Sequence, residues 1–189
     1  SEGGEIDVTN QRYFEDVQGG LTLFERGDVM FAKITPCMEN GKGTFISQLP
    51  TRYGFGSTEF HVLRPSHAVD GRFLYYYIYN PVYRTYAAEN MTGAAGQKRV
   101  TSRFLKDTRV FLPSVGEQRL IADFLDASCA VIDRLVSLRA GRRSEDTSRR
   151  EGVLNSQMRA LLAYRDSLLH ECVTGQRRIT EADVARAGR

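Results

Sequence analysis

The pattern of hydrophobic and polar positions divides the chain into two parts with different periods. Up to residue 113, short apolar runs alternate with glycines, which predicts strands at 28–34, 43–46, 60–63 and 110–112. The stretch 71–84 has apolar residues at helical spacing and predicts a helix that ends near Asn80 and Pro81, because proline cannot continue a helix. This part is therefore predicted to be a small mixed α/β domain of the α+β class.

From residue 114 onward the pattern becomes that of a coiled coil. Ser114 followed by Glu117 fits a capping box, the signature of a helix start. Apolar residues then follow alternating steps of four and three, the spacing of a seam between paired helices. The predicted pairing positions are Ile121, Leu125, Ile132, Leu135, Met158, Leu161 and Leu168. A long helix, or helices, that pair within the chain or with another chain should follow the first domain.

The polar stretch 139–152 leaves two arrangements of these helices open. It is either a solvated part of one long helix or a loop between two helices. One helix of about 55 residues would span roughly 80 Å at 1.5 Å per residue, whereas a loop would remove any inference about length. Gly175 is the predicted C-cap. The predicted divisions are thus 1–113, 114–175 and a flexible tail at 176–189.

Bulk composition excludes several classes of protein. The 189 residues are 41% hydrophobic, which is enough for a core, and the sequence holds no run of about 18 apolar residues, so no membrane partner is expected. The three cysteines are far apart in the sequence and odd in number, so neither a metal site nor a disulfide framework is predicted. A cytoplasmic location is therefore expected. The net charge of +3 is mild, so binding to nucleic acid would depend on local clustering.

Polar and cationic side chains cluster in three glycine-punctuated segments that are candidates for DNA binding. Amides, hydroxyls and cations suit phosphates and base edges, and a glutamate can accept a hydrogen bond from cytosine. The candidate residues are Lys33, Thr35, Asn40 and Lys42 in the first segment, Ser57, Thr58 and Glu59 in the second, and Gln97, Lys98, Arg99 and Arg103 in the third. Ordinary solvated hairpins and turns explain the same compositions, so both interpretations stay open at this point.

Motifs for catalysis are not recognisable in the sequence. The glycine-rich segment 33–44 is not a phosphate-binding P-loop, because Pro36 stands where its first glycine should be and Gly43 follows Lys42. The sequence from Asn80 to Tyr83 resembles a methyltransferase motif but lacks its second proline, and we interpret it as a helix end. Neither a carboxylate cluster nor a cofactor loop is apparent, so no catalytic residue and no metal site are predicted.

Five motifs in order along the chain resemble the specificity subunits of type I restriction–modification systems. They read GDVMFAKITPCMENGKG, GFGSTEFHVLRP, MTGAAGQKRV, LPSVGEQRLIADFLD and YRDSLLHECVTG. The match resembles the C-terminal half of such a subunit, with one target-recognition domain followed by the helical region. Judged against that family, the first strands of the domain are expected to be missing, and the stretch 139–152 is longer than expected.

The resemblance implies a non-catalytic protein that recognises one half of a split sequence in double-stranded DNA. Its helices would set the spacer between half-sites, pairing with a second copy or with the other half of the subunit. Methyltransferase and restriction subunits would be its partners, and those subunits would carry S-adenosylmethionine, ATP and Mg, with no cofactor bound by this chain. The rival interpretations are a DNA-associated assembly protein without sequence specificity and a divergent DNA-modifying enzyme.

Overall fold

A computed structural model describes residues 6–9, 11, 13–17, 19–94, 96–140 and 148–188. The chain separates into two compact units, Ser1–Val115 and Gly116–Arg189. Among the described residues, the first unit contains a short 3-10 turn, Phe14–Asp16, with five strands and three helices, and the regular elements of the second are all helices. The predicted α+β class is confirmed.

The strands of the first unit form two small antiparallel sheets. They are β1 (Thr22–Glu25), β2 (Val29–Ala32), β3 (Gly43–Phe45), β4 (Tyr53–Gly56) and β5 (Phe60–Leu63). In the larger sheet β2 lies in the centre between β3 and β5, and in the smaller sheet β1 pairs with β4. All four side chains of β2 are buried, which explains why its sequence is apolar without alternation.

The core of this unit lies on both faces of β2. Val29 and Phe31 belong to a cluster with Met38, and Met30 belongs to a second cluster with Phe24. This division follows the period of two in a strand, which points successive side chains to opposite faces. The larger cluster fixes the segment after β2 to the helices, because Met38 is fully buried in it.

Three helices complete the first unit: α1 (Gly71–Tyr79), α2 (Pro81–Glu89) and α3 (Ser102–Asp107). The predicted end of α1 near Asn80 is confirmed, and Asn80 also caps the next helix by accepting a hydrogen bond from the Val82 N–H at 3.0 Å. Pro81 occupies the first position of α2, where its missing N–H has no cost. The sequence prediction missed α2, since it took the proline as the end of helical structure.

Other local predictions differ from the structure. Residues 110–112 form no strand, because within the described part of the chain no backbone segment forms a ladder with them. The segment around Gly54 is strand β4 rather than a turn. A Cβ added to Gly54 would lie 2.3 Å from the ring of Phe24, its partner in β1, so the glycine leaves room for that ring.

The second unit is built on two helices of 26 residues, α4 (Val115–Ala140) and α5 (Ser148–Val173). The Arg165 Nη1 atom lies 3.4 Å from Asp133 Oδ1, and the Arg177 guanidinium lies 5.1 Å from the centre of the Phe124 ring. Earlier positions of α4 thus meet later positions of α5, so the two helices run antiparallel. One continuous helix is excluded because it would place residues 133 and 165 roughly 48 Å apart. Residues 141–147 lie outside the described residues.

Burial along the predicted seam decreases from one end of the helix pair to the other. Ile121, Leu125, Ile132 and Leu168 are buried, whereas Met158 and Leu161 are half-buried and Leu135 is 38% exposed. Large apolar side chains are also exposed around this second end of the pair. They are Val131, Leu138 and Tyr164. The intramolecular pairing therefore leaves apolar surface uncovered on the helices.

The C-terminal segment, expected to be a flexible tail, contains helix α6 (Glu181–Ala187). This corrects the prediction. Thr180 and Asp183 form a reciprocal capping box, in which the Asp183 carboxylate accepts from the Thr180 N–H at 3.0 Å. Ile179 is buried, and the segment is therefore attached by apolar contact as well as capped.

Two cysteines of the helical unit are expected to resist alkylation while the protein is folded. Burial raises the pKa of Cys129 to about 11 and that of Cys172 to about 12. At pH 8 a pKa of 11 leaves about 0.1% of the reactive thiolate. Peptide mapping after iodoacetamide treatment should find both thiols unmodified in the native protein and modified in 6 M guanidinium. Rapid modification of Cys172 under native conditions would contradict this packing.

Candidate nucleic-acid interface

The three predicted DNA-binding segments meet at one place in the first unit. The Lys33 N–H donates to the Glu59 carbonyl at 2.8 Å, and the Val100 N–H donates to the Lys33 carbonyl at 2.9 Å. The Thr35 N–H donates to the Lys98 carbonyl at 3.0 Å. The chain from residue 33 to 35 therefore lies between the other two segments, and we call the surface around this junction the three-loop face.

The first segment turns tightly after β2. The Asn40 N–H donates to the Pro36 carbonyl at 3.0 Å, and the Lys42 N–H donates to the Cys37 carbonyl at 2.9 Å, which folds residues 36–42 into successive turns. The Thr35–Pro36 peptide is cis. The side chains of Asn40 and Lys42 are exposed, while Lys33 is half-buried and its Nζ donates to the Thr58 carbonyl at 2.8 Å.

The third segment is a short hairpin rather than an open basic loop. Thr92 and Arg99 exchange both backbone hydrogen bonds, at 3.0 and 2.8 Å, and Arg99 also forms an isolated bridge with Ile34. Gln97 and Lys98 stand exposed at the turn. The hairpin thus presents a polar amide and a cation beside the first segment.

Glu59 and Arg99 form an ion pair with each other. The Arg99 Nη2 atom donates to Glu59 Oε1 at 2.8 Å, and Nε donates to Oε2 at 3.0 Å and to Oε1 at 3.2 Å. These hydrogen bonds lower the pKa of Glu59 and raise the pKa of Arg99. The sequence pattern predicted Glu59 and Arg99 as two separate contacts to DNA. In the structure they are bonded to each other, although they lie 40 positions apart.

Three further candidate residues are exposed, two of them beside the junction of the loops and one on helix α3. Ser57 and Thr58 are exposed at the turn before β5. Arg103 lies on α3, where its Nε is 3.4 Å from Asp107 Oδ2, an exposed pair within one helix. Such a pair contributes little to stability and leaves the arginine accessible.

Two supporting residues of the three-loop face were not singled out by sequence reasoning. His61 is buried, and its Nε2 lies 2.9 Å from the Val100 carbonyl; since a carbonyl only accepts, Nε2 carries the hydrogen. Burial lowers the pKa of His61, so the ring is neutral at neutral pH. Arg84 donates from Nη1 to the Glu39 carbonyl at 3.1 Å and stacks on the Tyr79 ring, so it ties the turns at 36–42 to α1.

A groove of about 1130 Å³ adjoins the three-loop face in the same unit. Lys42 and Ser57 belong to both surfaces, and the groove continues past Thr44 and Arg52 along the smaller sheet. Its lining holds two cations, Lys42 and Arg52, and two carboxylates, Asp7 and Asp16, among hydroxyls and apolar residues. Arg52 thus adds one exposed cation outside the three loops, but the two carboxylates offset the positive charge of the groove.

A second charged cluster, formed by Arg64, Asp28 and Glu25, lies at the end of β5. The sequence pattern did not predict it. Arg64 donates from Nε and Nη2 to the two carboxylate oxygens of Asp28, each at 2.8 Å, and its Nη1 is 3.0 Å from Glu25 Oε1. Asp28 is 1% exposed. Burial raises its pKa, but the hydrogen bonds from Arg64 and from the Glu25 N–H outweigh that effect, so the pKa of Asp28 is lowered. This cluster stabilises the turn between β1 and β2.

The described part of the chain holds neither a cluster of metal-ligating side chains nor a membrane-spanning helix. Within it, no group of three or more histidine, cysteine, aspartate or glutamate side chains is arranged to hold a metal ion. Among the helices that the structure describes, none is both long enough and apolar enough to cross a membrane.

The comparison with protein families decides the identity of this fold. Residues 7–136 match the model of the type I restriction modification DNA specificity domain. The chain belongs to that family. The matched residues contain the whole three-loop face and most of α4, so the candidate interface lies inside the specificity domain.

Two relatives of the specificity family from Escherichia coli are similar to this chain. The type I restriction enzyme EcoAI specificity subunit is 39% identical over 109 residues, which cover 57% of this chain and 18% of the relative. The type I restriction enzyme EcoEI specificity subunit is 38% identical over 111 residues, which cover 58% of this chain and 19% of the relative. The chain therefore spans only a part of the length of these specificity subunits.

Proposed function

We propose that this chain recognises one half of a split DNA sequence and directs the methyltransferase and restriction subunits of a type I system to it. The observation that carries the proposal is the three-loop face, where backbone hydrogen bonds bring together segments 33–42, 57–59 and 97–99. The membership of the chain in the specificity family supports the same role. In this proposal the chain supplies recognition, and other subunits supply catalysis.

Two kinds of contact follow from the chemistry of this face. Lys42 and Lys98 are exposed cations that suit phosphates, which position a protein on DNA without reading sequence. Asn40, Thr58 and Gln97 are exposed polar side chains, and amides and hydroxyls of this kind read base edges in the major groove. The mild net charge agrees with an interface that concentrates its cations locally.

The helical unit is proposed to hold two recognition domains at a fixed separation. Each helix of the antiparallel pair is about 39 Å long at 1.5 Å per residue, so the separation would be shorter than one continuous helix gives. The exposed side chains of Val131, Leu135 and Leu138 offer apolar surface for helices of a second copy or of the other half. A two-fold pair of copies would read two identical inverted half-sites.

The cofactors of the reaction belong, in this proposal, to partner subunits. S-adenosylmethionine would be bound by the methyltransferase subunits, and ATP and Mg by the partners that methylate and restrict. This chain would bind double-stranded DNA and those subunits in the cytoplasm.

Mapping of methylated bases in cells tests the proposal directly. A strain with this chain and the methyltransferase of its system should carry an interrupted adenine-methylated motif, which disappears when the gene for this chain is deleted. A palindromic motif would indicate a pair of identical copies, and an asymmetric motif would indicate a second recognition domain. Binding by the purified complex that ignores DNA sequence at moderate salt would overturn the proposal in favour of an assembly protein.

A further inference from the structure

The Glu59–Arg99 pair leaves one edge of the guanidinium available. Glu59 accepts from Nε and Nη2, which form one side of the planar group. The end of the group, formed by Nη1 and the second hydrogen of Nη2, faces no carboxylate in this pair. Among the described residues, this end makes one long hydrogen bond, 3.4 Å from Nη1 to the Gln97 carbonyl. The Arg99 side chain as a whole is 42% exposed, although Glu59 covers one side of its guanidinium.

The position of Arg99 is fixed at the backbone as well as at the side chain. Its N–H and carbonyl are both bonded to Thr92, and the neighbouring Val100 is bonded to Lys33 and to the His61 ring. A guanidinium that is held at both levels loses little conformational entropy when it binds a ligand. Lys42 and Lys98 are the other exposed lysines of the face, and within the described part of the chain no carboxylate forms an ion pair with either of them.

We propose that Arg99, oriented by Glu59, reads a guanine in the target half-site through its end edge. The two free N–H groups would donate to guanine O6 and N7 in the major groove, the pattern that distinguishes guanine from the other bases. This inference rests on the proposed function and adds a base identity to it. Glu59 is then a positioning residue for Arg99, and not the cytosine contact that its residue type suggested.

The pairing of charges separates this contact from those made to phosphates. Glu59 is ionised at neutral pH, and the hydrogen bonds from Arg99 lower its pKa further, so the charges of the two side chains nearly cancel. A nearly neutral pair adds little to the general attraction for DNA, which depends on uncompensated cations. Its contribution is therefore expected in the choice of base rather than in overall affinity.

Base analogues test this contact with the unaltered complex. Once the methylated motif is known, each guanine of the half-site is replaced in turn by 7-deazaguanine, which lacks the N7 acceptor, or by inosine, which keeps O6 and N7. One 7-deazaguanine position should weaken binding by roughly 5- to 150-fold, while inosine there should have little effect. Half-sites without guanine, or binding that is indifferent to 7-deazaguanine at every position, would overturn the proposal.

Variants then assign the effect to Arg99. Arg99→Lys, which keeps the charge but loses the planar fork, should accept other bases at that one position and leave the rest of the motif unchanged. Glu59→Gln should relax the same position to a smaller extent. The double variant Glu59→Arg with Arg99→Glu exchanges the two charges and keeps an ion pair. It should not restore the preference for guanine at this position. A restored preference would mean that the ion pair serves only to join the loops. Thermal denaturation of each complex verifies folding.

The outcome also separates this inference from the proposed function. A motif that depends on this chain but is unaltered in Arg99→Lys overturns the guanine contact and retains the recognition role. If the unaltered chain directs no methylation and its complex binds DNA without regard to sequence, both fail together.

Discussion

Replacing Lys42 and Lys98 together with alanine should weaken DNA binding by the assembled complex by roughly ten- to a hundred-fold at 150 mM salt. Both side chains are exposed on the three-loop face, and neither is an ion-pair partner in the described contacts. Each phosphate contact releases counterions, so the slope of log K against log salt should fall by about 0.9 per lysine, or about 1.8 in total. Titration of the complex with labelled DNA between 50 and 300 mM salt measures both quantities.

The matched control for this variant is Lys106→Ala. Lys106 is an exposed lysine of the same unit, in the last turn of α3, so its removal changes the charge of the same domain. Binding should change by less than about three-fold. Losses of equal size in this control and in the single variants Lys42→Ala and Lys98→Ala would indicate a diffuse electrostatic effect and would count against a defined interface.

Asp28→Asn should destabilise the first unit by roughly 2 to 3 kcal/mol at pH 7. The carboxylate is almost fully buried and accepts two hydrogen bonds from Arg64 and one from the Glu25 N–H. Asparagine replaces one of its oxygens by a donor, so at least one of these donors loses its partner. Urea denaturation followed by circular dichroism measures the change in the free energy of unfolding.

The pH dependence of this effect has a definite sign. The folded-state pKa of Asp28 lies below its ordinary value of 3.8, so the contribution is fully present above pH 3.8 and is lost as pH falls through the folded-state pKa. The stabilities of the variant and the unaltered protein should therefore converge in strong acid. Glu25→Gln is the control, because it removes only a partly exposed ion pair with Arg64 and should cost under about 1 kcal/mol. A constant difference down to pH 2 would contradict the assignment.

Local patterns were sufficient where neighbours in sequence determine the structure. The apolar run of β2, the helical spacing of α1 and its end at Asn80 were predicted because they depend on residues a few positions apart. The helical second half followed from the same kind of periodicity. The candidate DNA-binding residues came from composition, and their roles stay predictions until DNA binding is measured.

Errors arose where strand pairing or burial overrides local preference. β4 contains two glycines and has little intrinsic tendency to form a strand, yet it pairs with β1 because glycine fits against Phe24. Residues 110–112 have the composition of a strand but no strand to pair with. The segment 176–188 looked flexible although the spacing of Thr180 and Asp183 already fits a capping box, because its helix is only seven residues long and the burial of Ile179 is visible only in three dimensions.

The order of residues was enough to establish the fold class, the two-part organisation and the resemblance to type I specificity subunits. The pairing of Glu59 with Arg99 and the reversal that places Asp133 against Arg165 emerged from the folded chain alone. Both contacts join residues more than 30 positions apart, and nothing in local sequence reports how the backbone closes such distances. Local periodicity records which side of an element is apolar, whereas the partner of each side chain depends on where the remaining elements pack.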